Sequence, residues 1–203
     1  MSVLIRLVLV ALAMSAILAA MVSVHVMKRA GGEAILLDMA PVDPRDLLLG
    51  HYVIIETDLH RLDTAALDGP ETGWARGAPV YVALRATETG SMAPAGAYRA
   101  APEPPFIQGR IEAVYTQSEL RPPEPLEDGS PGFRRDPIPG TERDTLRVRY
   151  NLERYYAPKD QALALERMRN EDRLRLIASV AGDGSAVIKG LEIDGRAQHD
   201  TLF

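Results

Sequence analysis

The sequence contains no cysteine, few aromatic residues and no acidic side chain within its first 29 residues. Without cysteine the chain forms no disulfide, holds no thiolate-ligated metal and carries no cysteine nucleophile. Only 5% of the 203 residues are aromatic, whereas 46% are hydrophobic and 25% are charged, a balance that excludes wholesale disorder and collagen-like repetition. This length allows one domain, or one domain with an attached segment.

All acidic groups lie after residue 29. Residues 1–29 carry three basic groups, Arg6, Lys28 and Arg29, so residues 30–203 hold the remaining 20 basic groups against 28 acidic ones, a net charge of −8. Domains that bind nucleic acid normally show a basic patch or a high isoelectric point. The charge balance therefore predicts that nucleic acid is not a partner.

A long apolar run occupies the amino terminus. Residues 7–24 read LVLVALAMSAILAAMVSV, without a single charge. This run reaches the lower limit for a helix that crosses a hydrocarbon core of about 30 Å, and residues 3–27 cross it comfortably if Arg6 extends toward the headgroups. The alternative is a cleavable signal peptide, whose apolar region is normally about 7–15 residues and ends in a small-residue cleavage site. We favour an uncleaved transmembrane anchor over residues 1–29.

Beyond Gly32 the hydrophobic pattern is mostly that of β-strands. Alternating or short apolar runs bounded by turn residues predict strands within 33–39, 47–59, 80–86, 106–115 and 145–155. In the fourth run, residues 107, 109, 111, 113 and 115 share one face. In the last, residues 146, 148, 150 and 152 point one way and arginines 147 and 149 the other, as in a half-buried antiparallel sheet.

A helix and a hairpin are predicted in the last quarter of the chain. Strong helix formers fill residues 160–170 after Pro158, with residues 162, 165 and 168 on the inner face. A hairpin then spans 174–193, turned at Gly182-Asp183-Gly184 and ended by Gly195.

The predicted fold class is mainly β. A transmembrane helix (1–29) precedes an antiparallel β-sandwich or barrel-like domain (30–203) that contains one α-helix. Two proline-rich stretches, at about 88–105 and 116–143, are predicted to be irregular loops.

Two strings of residues stand out because of their unusual order. The first is Asp43-Pro44-Arg45-Asp46-Leu47 followed by Gly50-His51-Tyr52-Val53, and the second is YNLERYYAP at 150–158. Asp-Pro favours a turn, and Gly50 permits a positive φ or a bulge at the start of a strand. A tyrosine in such a strand is expected to be structural, with a hydrogen-bonded hydroxyl.

In the same order along the chain, these two strings resemble the GDYXXLXY domain family, named for a Gly-Asp-Tyr-x-x-Leu-x-Tyr motif. Gly50 and Tyr52 match that motif, whereas His51 stands in place of its Asp and Thr57 in place of its second Tyr. The candidate functional residues taken from the resemblance are Asp43, Pro44, Arg45, Asp46, Gly50, His51, Tyr52, Tyr150, Glu153, Tyr155 and Pro158.

The resemblance implies a place in the cell rather than a reaction. Family members are membrane-anchored bacterial proteins without an established activity, each with a small extracytoplasmic β domain, and they are often encoded beside a multi-pass membrane protein. We therefore expect the chain to be anchored in the bacterial inner membrane with residues 30–203 outside the cytoplasm. We also expect an integral membrane protein as its partner. The orientation is taken from the resemblance, because the numbers of positive charges on the two sides of the anchor are nearly equal and do not indicate which side is cytoplasmic.

The sequence favours a non-enzymatic accessory or interaction module. It contains no Gly-x-Ser-x-Gly or Ser-x-x-Lys motif, and its histidines do not make a metal site, so neither a metal nor another cofactor is expected. Two alternatives remain open: a membrane-tethered hydrolase using carboxylates or His51, and an extracytoplasmic small-ligand binder with a pocket lined by Tyr52, Tyr150 and Tyr155.

A candidate interface lies among the arginines of the second string and the strand before it. Arg147 and Arg149 share the polar face of a predicted strand, Arg154 follows, and Arg173 and Arg175 of a later strand are expected to extend the face. Arginine and tyrosine are enriched where proteins bind one another. The alternative is a solubilising face paired with the many acidic groups.

Overall fold

The computed structural model describes residues 3–41, 52–68, 73–118, 120–122, 124–125, 133–134, 136–141 and 143–199. They form two α-helices, α1 (Val3–Gly31) and α2 (Lys159–Asn170). The strands, in chain order, are β1 (Glu33–Asp38), β2 (Tyr52–Ile54), β3 (Arg61–Asp63), β4 (Pro79–Ala86), β5 (Met92–Tyr98), β6 (Phe106–Gln117), β7 (Glu124–Pro125), β8 (Phe133–Arg134), β9 (Arg143–Arg149), β10 (Arg154–Tyr156), β11 (Leu174–Val180), β12 (Ala186–Ile193) and β13 (Arg196–His199).

Two antiparallel sheets make up most of the domain. One has the strand order β1-β11-β12-β13, the other has the order β3-β9-β6-β4-β5, and two smaller ribbons pair β10 with β2 and β7 with β8. One hydrophobic cluster takes side chains from both large sheets, for example Leu37 and Leu176 from the first and Ile107 and Leu146 from the second. The predicted fold class, a mainly β, sandwich-like domain with one helix, is confirmed.

Helix α1 stands apart from this core. Its 29 residues extend about 43 Å at 1.5 Å per residue, and none of its apolar span is buried. By length and composition it is long and apolar enough to cross a membrane. Only its carboxyl-terminal end approaches the sheet of β11 and β12, where Arg29 Nη2 donates to the carbonyl of Lys189 at 2.8 Å.

A single residue, Gly32, separates α1 from β1. A Cβ at this position would overlap Ser179 Oγ and lie 2.8 Å from the carbonyl oxygen of Val180 on the neighbouring strand. The chain therefore passes from helix to sheet with its backbone directly against β11, and only glycine allows that approach.

Replacing Gly32 by alanine is expected to lower the free energy of unfolding by about 1–2 kcal/mol, because the added methyl forces β1 away from a backbone carbonyl. Gly31→Ala is the matched control, since a Cβ at that residue would have no atom within 4 Å and alanine favours a helix. Thermal unfolding in detergent measures both. Equal melting temperatures for the two variants would contradict the packing at this junction.

The stretch at 88–105, predicted to be an irregular loop, contains strand β5, so that prediction is wrong. Pro94 lies within this strand opposite Leu84, next to a break in register between Ala83 and Leu84. Since β5 is at the edge of its sheet, a residue without an N–H is tolerated there.

The strand predicted over 145–155 is interrupted. Strand β9 ends at Arg149, Asn151 adopts a left-handed conformation with φ 63°, and the chain resumes as β10 in another ribbon. The predicted inward residues Leu146, Val148, Tyr150 and Leu152 are nonetheless all buried.

A bulge in β6 changes its alternation. Ile111 pairs with Val148 but Ala113 pairs with Arg147, so Glu112 is an extra residue. Beyond it Val114 packs against the core and Tyr115 is 52% exposed, which contradicts the prediction that Ala113 and Tyr115 share the inner face.

Three further boundaries differ from expectation. Within the described part of 47–59, only Tyr52–Ile54 is a strand, and Asp58–His60 forms a 3₁₀ turn. Gly195 ends the hairpin as predicted, but the turn there leads into a further strand, β13, that the sequence pattern did not predict. The described part of 116–143 continues β6 to Gln117 and adds the short β7–β8 pair.

The helix predicted at 160–170 is confirmed as α2, with Ala162 and Leu165 buried and Met168 against the core. Arg169, for which the sequence pattern predicts no inward position, is 3% exposed and its Nη1 donates to the carbonyl of Ile54 at 2.6 Å. Its burial lowers the pKa of the guanidinium, although Glu166 and Glu56 oppose the shift. This hydrogen bond fixes α2 to the end of β2.

Candidate functional site

Some candidate residues lie in a segment that the structure does not describe. The others lie in three separate places within the described residues. Asp43, Pro44, Arg45, Asp46, Gly50 and His51 lie outside the described residues. Their role stays a prediction. Tyr52, which opens β2, is the first motif residue whose surroundings are known.

The first described place is the outer side of the β2–β10 ribbon. Tyr52 pairs with Tyr156, their ring centroids are 5.9 Å apart, and the Arg154 guanidinium lies 5.0 Å from the centroid of Tyr52. Tyr156 is 70% exposed. Tyr155 faces the other way, opposite buried Val53, and packs against the core. We call Tyr52, Arg154 and Tyr156 the tyrosine ribbon.

The second place is a polar group of buried Thr57, His60 and Tyr150 with half-buried Glu153. The Tyr150 hydroxyl donates to the carbonyl of Leu59 at 3.0 Å, and its ring meets the His60 ring edge-on with centroids 5.6 Å apart. The Glu153 carboxylate accepts from the backbone N–H of Tyr150 at 2.6 Å and from that of Asn151 at 3.1 Å. This carboxylate holds the turn at which β9 ends.

The backbone of Thr57 and the carboxylate of Glu153 flank the His60 ring. The backbone N–H of Thr57 donates to His60 Nδ1 at 3.0 Å, and the other ring nitrogen, Nε2, lies 3.6 Å from Glu153 Oε1. Burial raises the pKa of Glu153, but the facing His60 and the backbone N–H groups outweigh it and leave the pKa below its ordinary value.

The same surroundings give Tyr150 a structural role. Burial, and then the charge of Glu153, raise the pKa of the Tyr150 hydroxyl far above its ordinary value, so it remains a neutral donor. Tyr150 is thus a structural tyrosine with a hydrogen-bonded hydroxyl.

Pro158 also has a structural role. Its carbonyl accepts the N–H of Ala162 in the first turn of α2 at 2.9 Å.

The third place is the solvent face of the five-stranded sheet. Arg61 on β3 lies directly opposite Arg147 on β9, and Arg110 on β6 lies directly opposite Arg149 on β9. All four side chains alternate with buried neighbours and point outward. Arg76 completes the group and, with Arg110, Arg147 and Arg149, lines a shallow cavity of about 440 Å³. We call Arg61, Arg76, Arg110, Arg147 and Arg149 the arginine face.

The acid in contact with this face is Glu112, the bulged residue of β6. Its two carboxylate oxygens lie 3.6 Å from Arg147 Nε and 3.7 Å from Arg149 Nη1. Arg110 Nη1 donates to the carbonyl of Gly77 at 2.7 Å. Within the described residues, no carboxylate forms an ion pair with Arg61, Arg76 or Arg110.

The family model of the GDYXXLXY protein matches residues 14–191. The chain belongs to the GDYXXLXY family. The match begins inside α1 and ends in β12, so it covers the five-stranded sheet, the four-stranded sheet except the end of β12 and β13, the polar group around Tyr150 and the arginine face. No curated protein and no solved structure matches the chain.

In this GDYXXLXY protein the candidate interface residues do not form one surface. Arg147 and Arg149 belong to the arginine face, whereas Arg154 lies in the tyrosine ribbon. Arg173 and Arg175 do not extend the face, because they lie at β11 of the other sheet, where they pair with Asp194 and Glu192. The prediction that they extend it is wrong.

Sequence reasoning missed Arg61, Arg76 and Arg110 as neighbours of Arg147 and Arg149. The alternation of 106–115 already placed Arg110 on the polar side of its strand. However, the pairing of β3 and β6 with β9 joins residues that are far apart in the chain, such as Arg61 with Arg147 and Arg110 with Arg149. No pattern in a single sequence contains that register.

The described candidate residues form neither a metal site nor a shared tyrosine pocket. Among the described residues, no three His, Asp or Glu side chains come together to hold a metal ion. Tyr52, Tyr150 and Tyr155 do not line a common pocket, because Tyr150 is buried and the other two lie on opposite faces of the ribbon. Two exposed surfaces remain, the arginine face and the tyrosine ribbon, and arginine and tyrosine are enriched in protein–protein contacts.

Proposed function

We propose that this GDYXXLXY protein is a membrane-anchored, non-enzymatic interaction module of the bacterial cell envelope. Helix α1 spans the inner membrane over residues 3–27, residues 30–203 lie on the extracytoplasmic side, and they bind a multi-pass membrane protein. The family resemblance supplies the location and the class of partner.

One observation carries the proposal. An apolar helix with no buried span runs, with only Gly32 between, into a β domain that displays two exposed surfaces, the arginine face and the tyrosine ribbon. The unburied apolar span of α1 needs a nonaqueous surrounding, and a bilayer provides it. The short junction holds the domain close to the membrane surface, within reach of an integral partner.

The hydrolase alternative depends on His51 together with Asp43 and Asp46, which lie outside the described residues. No contact of the described residues favours it. His51→Ala in the full chain separates the two functions: a hydrolase loses its activity in cells, whereas an interaction module keeps its partner.

The decisive test is recovery of the partner in mild detergent with the full, carboxyl-terminally tagged chain. We expect the chain to remain in the membrane fraction after an alkaline wash, a carboxyl-terminal reporter to be active only outside the cytoplasm, and one multi-pass protein to be recovered reproducibly. A reporter active in the cytoplasm, or repeated recovery of no membrane protein, would contradict the proposal.

A matched variant tests whether α1 or the β domain contacts the partner. Replacing residues 3–27 by an unrelated apolar helix of equal length keeps the chain in the membrane. If the β domain makes the contact, recovery of the partner persists. Loss of recovery would assign the contact to α1.

A further inference from the structure

The arginine face carries a cost in stability for the fold. Arg61 and Arg147, and likewise Arg110 and Arg149, are directly opposed across neighbouring strands. Like charges in that position repel and destabilise a sheet. Among the described residues, acids on this face are few: the bulged Glu112 and Asp63, the next outward residue after Arg61, stand against five arginines.

Glu112 shows which anion the face accommodates. The bulge in β6 places its carboxylate between Arg147 and Arg149, with one oxygen toward each guanidinium. These contacts, at 3.6 and 3.7 Å, are longer than a charge-assisted hydrogen bond, so both guanidinium groups retain donors for a further carboxylate. Arg61, Arg76 and Arg110 have no carboxylate partner among the described residues.

An exposed tyrosine lies within the same face. Tyr115 pairs with Thr145, one outward position from the Ala113–Arg147 pair, and is 52% exposed. An aromatic ring among guanidinium groups is typical of the centre of a protein interface.

We propose that the arginine face is the docking surface for an acidic segment of a protein partner, in which Asp or Glu side chains pair with Arg61, Arg110, Arg147 and Arg149. The proposal rests on the proposed function and names the chemistry of the partner. Guanidinium groups pair with carboxylates in a fork geometry, which suits arginine to the recognition of Asp and Glu side chains. Helix α1 approaches β11 and β12 in the other sheet, so the face does not adjoin the point where the chain would enter the membrane.

The defined probe is a fluorescent octaglutamate peptide, added to the full chain in neutral detergent at low salt. We expect binding that weakens as salt is raised and becomes about tenfold weaker in Arg147→Gln/Arg149→Gln. The matched control Arg167→Gln/Arg196→Gln removes two exposed arginines outside the five-stranded sheet, on α2 and β13, and is expected to leave the affinity unchanged. Binding unaffected by Arg147→Gln/Arg149→Gln, or weakened equally by the control, overturns the proposal.

A third variant is expected to increase the affinity for octaglutamate. Glu112→Gln removes the carboxylate that already occupies Arg147 and Arg149, so octaglutamate is expected to bind about twofold to fivefold more tightly. The melting temperature of Arg147→Gln/Arg149→Gln is expected to equal or exceed that of the unmodified chain, because repulsion is relieved. A lowered melting temperature with lost binding would assign these arginines to the fold and overturn the proposal.

Phosphatidylglycerol vesicles test the lipid alternative with the same variants. Vesicle binding that depends on Arg147 and Arg149, without octaglutamate binding, would identify a lipid headgroup as the occupant and overturn the proposal.

Photo-crosslinking in cells separates failure of this proposal from failure of the proposed function. A crosslinker is placed at Tyr115 on the arginine face or at Tyr156 on the tyrosine ribbon of the full chain. We expect a membrane-protein adduct at Tyr115 that is lost with Arg147→Gln/Arg149→Gln. An adduct only at Tyr156 overturns the arginine-face proposal and leaves the interaction module standing, whereas no adduct at either position contradicts both.

Discussion

Replacing Tyr150 by alanine is expected to lower the free energy of unfolding by about 3–5 kcal/mol. The ring is 3% exposed, packs edge-on against His60 and lies beside Gly109, where a Cβ would come within 2.7 Å of it. Its removal leaves a cavity at the end of β9 and deprives the carbonyl of Leu59 of its donor. Chemical denaturation of the full chain in detergent measures the loss.

Two variants give this prediction its controls. Tyr150→Phe keeps the ring and loses only the hydrogen bond to Leu59, so a cost of about 1 kcal/mol is expected. Tyr156→Ala removes a tyrosine that is 70% exposed and is expected to change stability by no more than about 0.5 kcal/mol. A Tyr150→Ala protein as stable as Tyr156→Ala would show that Tyr150 is not a core residue.

Replacing Glu153 by alanine is expected to cost about 2–3 kcal/mol, because the backbone N–H groups of Tyr150 and Asn151 lose their common acceptor. Glu153→Gln retains an acceptor oxygen without the charge and is expected to cost less. The comparison separates hydrogen bonding from charge. Equal stability of Glu153→Ala and the unmodified chain at neutral pH would contradict the role assigned to this carboxylate.

The same carboxylate makes the stability of the fold depend on pH. The folded pKa of Glu153 lies below its unfolded value of 4.5, so its contribution to stability is complete above that pH and is lost as the pH falls through the folded pKa. Below pH 4.5 we expect the unmodified chain to lose stability faster than Glu153→Gln. Parallel stability curves for the two proteins would refute this coupling.

Strand alternation is readable from sequence because a half-buried sheet repeats every second residue. For that reason the pattern predicts the inward positions of Leu146, Val148 and Tyr150 correctly. The same pattern continues through Leu152 and hides the end of β9, which depends on the left-handed Asn151 and on a carboxylate three residues beyond Tyr150. Local periodicity does not distinguish a strand from a turn that keeps its inward side chains buried.

Two other errors have tertiary causes. Pro94 by itself favours a loop, yet it fits in β5 because that strand lies at a sheet edge. Glu112 has the pattern of an ordinary outward residue, yet as a bulge it reverses the faces of Val114 and Tyr115 and brings a carboxylate to Arg147 and Arg149. Position within a sheet is not encoded in the residues nearby.

The absence of cysteine and of acidic residues near the amino terminus limits how this protein is stabilised and where its charge lies. Lack of cysteine leaves the β core without disulfides, and lack of acidic groups before residue 30 leaves an apolar helix set against a domain of net charge −8. The sequence by itself determined the helix, the mainly β class and the family, because these depend on local periodicity and short motifs. Only the tertiary structure decided that five arginines of an acidic domain gather on one face, since strand register joins residues far apart in the chain.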